Sequence, residues 1–149
     1  SLFEKKYAAF FDILNKKLNP NELAYNRYLG IAEHVYLGGL DNLSYAAVLL
    51  QSTSAIDIKH INNTLKKLDN SPEDQTNREA LEERLTLANQ AQISARNLQL
   101  QNELALTQLD KVTSKMATIQ THTGNTSVAL EDSMEELKQL INRADQLSN

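Results

Sequence analysis

The three histidines have the widest chemical range in this chain, because an imidazole can bind a metal, move a proton or accept a phosphoryl group. They are His34, His60 and His122. No two of them have the i, i+4 spacing that puts two metal ligands on one helix face. Asp57 and His60 could share one ligand pair, but a solvated polar pair is the favoured interpretation. The chain has no cysteine, which excludes thiol catalysis and thiolate sites, so we expect no metal and no other cofactor.

His34 opens the segment HVYLGG, in which Gly38 follows one helical turn later and Gly39 comes next. This segment resembles the phosphoacceptor motif of histidine phosphotransfer domains, four-helix bundles in which a helical histidine accepts a phosphoryl group near a small residue. The resemblance implies that His34 is a phosphoacceptor. Two positions depart from the motif: Leu37 stands where a lysine is usual, and Glu33 puts an anion beside an incoming phosphate. An ordinary helical histidine beside the packing face is the favoured interpretation.

Three of the four glycines, Gly30, Gly38 and Gly39, lie close together in one predicted helix. Inside a helix each costs about 1 kcal/mol relative to alanine. We therefore predict that all three allow close packing of a neighbouring helix, and the alternative is a bend at the adjacent pair. The pair is not expected to bind phosphate as a loop, because Asp41 and Asn42 follow where such a loop needs lysine and serine or threonine.

The hydrophobic pattern predicts an all-α fold of five helices. Four glycines and two prolines in 149 residues leave little material for the many turns of a sandwich or barrel. The fourth helix keeps a three-and-four rhythm for about fifty residues, which is typical of a coiled coil, and places Gln92 and Asn102 on its seam. The first predicted helix runs from about Leu2 to Leu18, and the second runs from Pro20, with Asn19 as its cap, to about Gln51. The third runs from a cap at Ser54 to Leu68. The fourth runs from a cap at Ser71 through Ile119, and the fifth begins after a cap at Thr126 or Ser127.

The helix lengths predict an elongated helical bundle. The second and third helices together match the fourth, and a tight turn makes them antiparallel. We predict a four-helix bundle at the end that holds both termini, from about 1–52 and 100–149, and an antiparallel two-helix coiled-coil stalk at about 53–99 with its tip at 69–72. A single straight helix through 121–126 is the competing layout.

Charge and hydropathy restrict the partners. The net charge is −4, with eight basic and seven acidic residues in 1–70 and seven against twelve in 71–149. No concentrated basic face is expected, which argues against nucleic acid as a partner. The longest apolar run is shorter than the roughly 20 residues that a bilayer span needs, so no direct membrane insertion of this segment is expected. The compartment stays open, with the cytoplasm favoured over an extracytoplasmic part of a membrane-anchored protein.

No local spacing assembles a catalytic pocket, and we predict a chain that is not an enzyme. The leading function is a non-catalytic interaction or scaffolding module, a soluble segment of a larger or membrane-anchored protein that binds protein partners or itself through the stalk. The alternative is a signalling bundle, either histidine-phosphotransfer-like through His34 or an extracytoplasmic four-helix sensor domain. Two stalk helices bury only one stripe each, which leaves other apolar residues to a partner. The faces expected to be exposed lie near Leu87, Ile93, Leu100 and Leu106.

Overall fold

A computed structural model describes residues 1–119 and 128–141 of the chain. Within these residues there are five α-helices and no strand, so the fold is an all-α helical bundle, as the composition predicted. The predicted caps at Thr126 and Ser127 and the residue His122 lie outside the described ranges. The helices are α1 (Leu2–Lys17), α2 (Leu23–Ser52), α3 (Ile58–Lys67), α4 (Pro72–Ala117) and α5 (Val128–Leu140).

Helix α2 begins three residues later than predicted. Only half of the expected capping box forms: the Asn19 amide donates to Glu22 Oε1 at 3.2 Å, but the Glu22 amide donates to the Asn19 backbone carbonyl at 2.9 Å, and Asn19 Oδ1 accepts from the Asn21 amide instead. These contacts close a turn that includes Pro20, and the first helical residue is Leu23. The predicted start at Pro20 is therefore wrong, because the same capping chemistry also stabilises an isolated turn.

The predicted cap of α3 is also wrong. Ser54 Oγ donates to the carbonyl of Gln51 at 2.9 Å and so belongs to the end of the preceding helix. The N-cap is Asp57, whose Oδ1 accepts from the backbone amide of His60 at 2.9 Å. Aspartate serves this position well, since its carboxylate both accepts from the exposed amide and favours the positive end of the helix.

The turn between α3 and α4 follows the predicted chemistry. Asp69 Oδ1 accepts from the backbone amide of Ser71 at 2.8 Å, and this hydrogen bond lowers the pKa of Asp69. Ser71 Oγ in turn accepts from the Asp74 amide at 3.2 Å. Pro72 then takes the first helical position, where its missing N–H has no intrahelical partner to lose.

The contacts divide the chain into two units, and α2 and α4 contribute to both. Unit 1 comprises Ser1–Leu43 and Gln99–Asn149, and unit 2 comprises Ser44–Leu98. The core of unit 1 receives large, fully buried side chains from four helices. They include Phe10 and Leu14 of α1, Tyr28 and Val35 of α2, Leu109, Val112 and Met116 of α4, and Leu130, Met134 and Leu137 of α5.

Helix α5 packs against α4 within unit 1. Gln108 Nε2 donates to the carbonyl of Ser133 at 3.1 Å, across 25 residues of chain. In one straight helix that separation would be about 37 Å at 1.5 Å per residue. The competing layout, a single straight helix through 121–126, falls on residues outside the described ranges, and the described contact shows that α5 lies alongside α4.

Unit 2 has a thin interior. Its buried hydrophobic residues are Ala46, Ile61, Ala88, Ala91 and Ala95. Gln92 is exposed, and the seam position expected for it belongs to Ala91. A three-and-four rhythm from Ala88 to Ala95 fits either residue, and the small apolar side chain is the one that avoids burying an amide.

Candidate functional site

His34 lies half-buried on α2 in unit 1 and contacts the end of α5. Its Nε2 is 2.9 Å from the carbonyl oxygen of Ile141. Because a carbonyl oxygen only accepts, Nε2 is the donor in this contact. The carbonyls at a helix C-terminus lack intrahelical partners, and His34 satisfies one of them. A structural role in holding α5 accounts for this histidine.

We expect His34→Ala to lower the free energy of unfolding by about 1 kcal/mol, the usual contribution of one intramolecular hydrogen bond. His34→Gln, which keeps an N–H donor, should lose less. The matched control is His60→Ala, since the His60 side chain is exposed and only its backbone amide is bonded to Asp57. Urea unfolding followed by circular dichroism measures all three variants. Equal losses at positions 34 and 60 would exclude the helix-end role.

Glu33, the anion beside His34, is held by a tyrosine. Tyr7 Oη of α1 donates to Glu33 Oε1 at 3.3 Å. Partial burial raises the pKa of Tyr7, and the neighbouring Glu33 carboxylate raises it further. Among the described residues, the groups shown beside His34 are the Ile141 carbonyl and the adjacent Glu33 carboxylate, and both are acceptors that do not complement an incoming phosphate.

The candidate pair Asp57 and His60 lines one cleft of about 380 Å³ together with Arg84, but the two side chains are not bonded to each other. Asp57 serves as the cap of α3, and its contact with His60 is to the backbone and not to the imidazole. In residues 1–119 and 128–141, no group of three or more His, Asp or Glu side chains could hold a metal ion.

The three glycines of α2 have different surroundings. A Cβ built on Gly39 would lie 2.6 Å from both Cε atoms of Phe3, and closer still to Cζ, so glycine lets α1 approach α2 at this point. Gly38 is buried. Gly30 is exposed, and a Cβ there would meet no atom within 4 Å, so the prediction of close packing is wrong for Gly30. Helix α2 continues without interruption through all three.

Because of this difference, we expect alanine at position 30 and alanine at position 39 to change the free energy of unfolding in opposite directions. Gly30→Ala should raise the free energy of unfolding by about 0.5 to 1 kcal/mol, because alanine is the better helix former and nothing obstructs its Cβ. Gly39→Ala gains the same propensity but overpacks the Phe3 ring, which costs about 1 to 3 kcal/mol, so a net loss of about 1 kcal/mol is expected. Thermal unfolding measures both.

The Phe3→Leu background is the control for this pair, since it removes the ring atoms that a Cβ at position 39 would meet. In that background Gly39→Ala should cost less than in the parent chain. A cost that does not depend on residue 3 would contradict the proposed contact.

Buried amides lie beside this close approach. Asn102 of α4 donates through Nδ2 to the Gly39 carbonyl at 3.1 Å, and its Oδ1 accepts from Asn42 Nδ2 at 3.0 Å. Asn42 Nδ2 also lies 2.8 Å from Gln101 Oε1. The two asparagines are 4% and 7% exposed, so the network is satisfied inside the protein and fixes which residues of α2 and α4 face each other. A cleft of about 440 Å³ opens beside Asn102 and is lined mainly by Leu2, Phe3, Leu43 and Leu106.

The most unusual surface of the chain is in unit 2. Neither 44–56 nor 85–95 contains any Asp, Glu, Lys, Arg or His, and we call these two segments the charge-free band. The buried hydrophobic residues of the band are all alanines: Ala46, Ala88, Ala91 and Ala95. Of its eight larger apolar side chains, Leu49, Ile56 and Leu85 are half-buried and five are exposed: Tyr45 58%, Val48 58%, Leu50 41%, Leu87 51% and Ile93 58%.

Of the four residues predicted to face a partner, three lie on the surface and one is buried. Leu87, Ile93 and Leu100 are more than half exposed, whereas Leu106 is 6% exposed and packs in the core of unit 1, so its prediction is wrong. Helix α4 has a neighbour on more than one side in unit 1, and Leu106 therefore falls on a covered face. Sequence reasoning missed Tyr45, Val48 and Leu50. The absence of charge from 42 to 56 was the signal that could have found them.

No protein-family model, curated protein or solved structure matches this chain. The class of protein is therefore defined by the fold alone, an all-α helical bundle. Across residues 1–119 and 128–141, none of the helices combines the length and the apolar character needed to cross a membrane.

Proposed function

We propose that this chain is a non-catalytic helical interaction module and that its contact surface is the charge-free band of unit 2. One observation carries the proposal: the buried hydrophobic residues of the band are all alanines, while five of its eight larger apolar side chains are exposed. Exposed single apolar residues are ordinary, but several of them in a band without charge are typical of an interface.

The energetics favour covering this surface. Complete burial of a side chain of this size gains about 1.5 to 3 kcal/mol, and the five are roughly half exposed, so each one that a partner covers gains on the order of 1 kcal/mol. The α4 segment of the band, 85–95, is about 17 Å long at 1.5 Å per residue, which is about three turns of helix. A partner helix of ordinary length matches it.

Photo-cross-linking tests this proposal in cells that produce the chain. A photoreactive phenylalanine derivative replaces Leu87 in the band or, as the control, Glu82, which is also exposed on α4 and lies about 140° round the helix from Leu87. We expect protein adducts from position 87 and few from position 82. The absence of adducts at position 87, or equal yields at both positions, would contradict the proposal.

Signalling by phosphotransfer remains an alternative with its own test. The contact of His34 Nε2 with the Ile141 carbonyl and the nearby Glu33 carboxylate do not favour it. Incubation with a phosphorylated receiver domain should leave the chain unlabelled. Label that is present in the parent chain and absent from His34→Gln would establish phosphotransfer instead.

A further inference from the structure

We infer that a second copy of this chain covers the side of the charge-free band that carries Tyr45, Val48 and Leu87, an inference that rests on the proposed function and names its partner. The surface concerned is a groove of about 370 Å³ within unit 2. Tyr45 and Val48 share one side of α2 with Ser52, at spacings of three and four residues. We call the groove together with Tyr45 and Val48 the groove face. The groove itself is lined by Leu49, Ser52, Thr53 and Ile56 on one wall and by Leu87, Gln90, Ala91 and Ser94 on the other.

The groove face is shaped for helices. Small side chains at Ser52, Ala91 and Ser94 line the groove, and Leu87 stands half-exposed at its edge. Small residues let a second backbone come close, and larger ones then interdigitate with those of the partner. In a pair of helices each helix is covered on one face only. In four helices arranged as two pairs, each helix packs against two neighbours and is covered on two faces. Pairing of two groove faces thus completes a four-helix core that one copy leaves open.

The charge pattern favours a second copy over a different protein. In a two-fold symmetric dimer the same patch meets itself, so any charge near the axis faces its like. The groove face has no charged residue, and self-contact therefore brings no such repulsion. Partners of different sequence are commonly selected by opposite charges, and this face offers none.

The charges beyond the band select the orientation. Helix α3 has three lysines and no acidic residue, while the first part of α4, from Glu73 to Arg84, has five acidic residues and two arginines. Within the described chain, the lysines of α3 form no ion pair with α4. Of the five acidic side chains, Asp74 accepts from the Asp69 amide and Glu79 from Gln75 Nε2, which leaves Glu73, Glu82 and Glu83 for a partner. A two-fold axis parallel to the helices sets α3 of one copy against α4 of the other and pairs the opposite charges.

Sedimentation equilibrium of the full chain tests the inference. The mass should rise with concentration from 16.7 kDa to twice that value. The double variant Val48→Glu with Leu87→Glu should weaken association by at least about 100-fold, because it buries like charges in the contact. A double variant with lysine at both positions should be equally monomeric. Mixed together, the acidic and basic variants should form a one-to-one dimer, which also shows that each of them folds.

The matched control is Ile93→Glu. Ile93 is exposed to the same 58% as Val48 but lies about 120° round α4 from Leu87, outside the groove face, so this variant should dimerise normally. A chain that is monomeric at every concentration, or a dimer that the acidic pair leaves intact, would overturn the inference. If the chain is monomeric yet position 87 cross-links to a different protein, only the second copy is excluded. If it is monomeric and position 87 gives no adduct, the proposed function fails with it.

Discussion

Asn102→Asp is expected to lower the free energy of unfolding by about 3 to 5 kcal/mol at pH 7, the usual result of leaving a buried charge without compensation. The change is nearly isosteric, so no cavity forms. It replaces the amide that donates to the Gly39 carbonyl at 3.1 Å with an oxygen, which sets two acceptors against each other. With Asn102 only 4% exposed, little water reaches the introduced carboxylate.

The pH dependence of this loss has a definite sign. Burial should raise the folded-state pKa of the introduced carboxyl above its unfolded value of about 3.9. Below the unfolded pKa the carboxyl is protonated in both states and can donate to Gly39, so the penalty is small. The penalty then grows as the pH rises and is complete above the folded-state pKa. Urea unfolding at a series of pH values measures it.

Asn97→Asp is the matched control, since Asn97 is exposed on the same helix and the change in net charge is identical. Its effect should stay within about 0.5 kcal/mol at every pH. Equal losses at positions 97 and 102 would mean that the amide network does not hold α2 and α4 together.

Leu109→Ala is expected to cost about 2 to 5 kcal/mol, because it removes a fully buried side chain and leaves a cavity. Leu109 belongs to the core of unit 1, to which α1, α2, α4 and α5 all contribute. Leu104→Ala is the control: Leu104 lies on the same helix but is 51% exposed, so the loss should be below about 0.5 kcal/mol. Chemical denaturation gives both values. A small loss at position 109 would show that the four helices do not share one core.

Sequence patterns predicted the helices well because long amphipathic segments and strong stop signals act locally. Pro72 following Ser71 has few interpretations, and the structure places it at the start of α4. The cap of α3 was harder, since Ser54 and Asp57 are both good N-cap residues. The choice depends on where α2 ends, and Ser54 is engaged by the Gln51 carbonyl. Whether Ser54 ends α2 or begins α3 therefore cannot be predicted from the local sequence pattern.

The surroundings of individual side chains were less predictable, because they depend on how many neighbours a helix has. Gly30 and Gly39 are the same residue in the same helix, yet only Gly39 meets another helix, through Phe3. Leu100 and Leu106 are the same residue on the same helix, about 120° apart round α4, and the first is 56% exposed while the second is 6% exposed. Periodicity identifies a face, but the number of covered faces is a property of the tertiary structure.

The charge-free band differs from the glycines of α2 and the leucines of α4, because its sequence resembles that of a protein core. From Ser44 to Ile56 the chain has no charged residue, yet Tyr45, Val48 and Leu50 are exposed and the buried hydrophobic residue of this segment is Ala46. A helix that is apolar on more than one side is normally buried on more than one side. The band therefore gives the clearest indication that a further protein surface belongs there.

Hydroxyl-radical footprinting of the protein, isolated from its natural source under mild conditions, tests most directly whether the band is covered. Tyr45 and Leu87 report on the band, and Leu23, 90% exposed on α2, is the internal reference. The proposed function predicts that both band residues are labelled several-fold more slowly than their exposed fractions in the isolated chain imply, and that dissociation of the partner by dilution restores the labelling. Labelling of Tyr45 and Leu87 in proportion to those fractions, unchanged on dilution, would contradict an interface at the band.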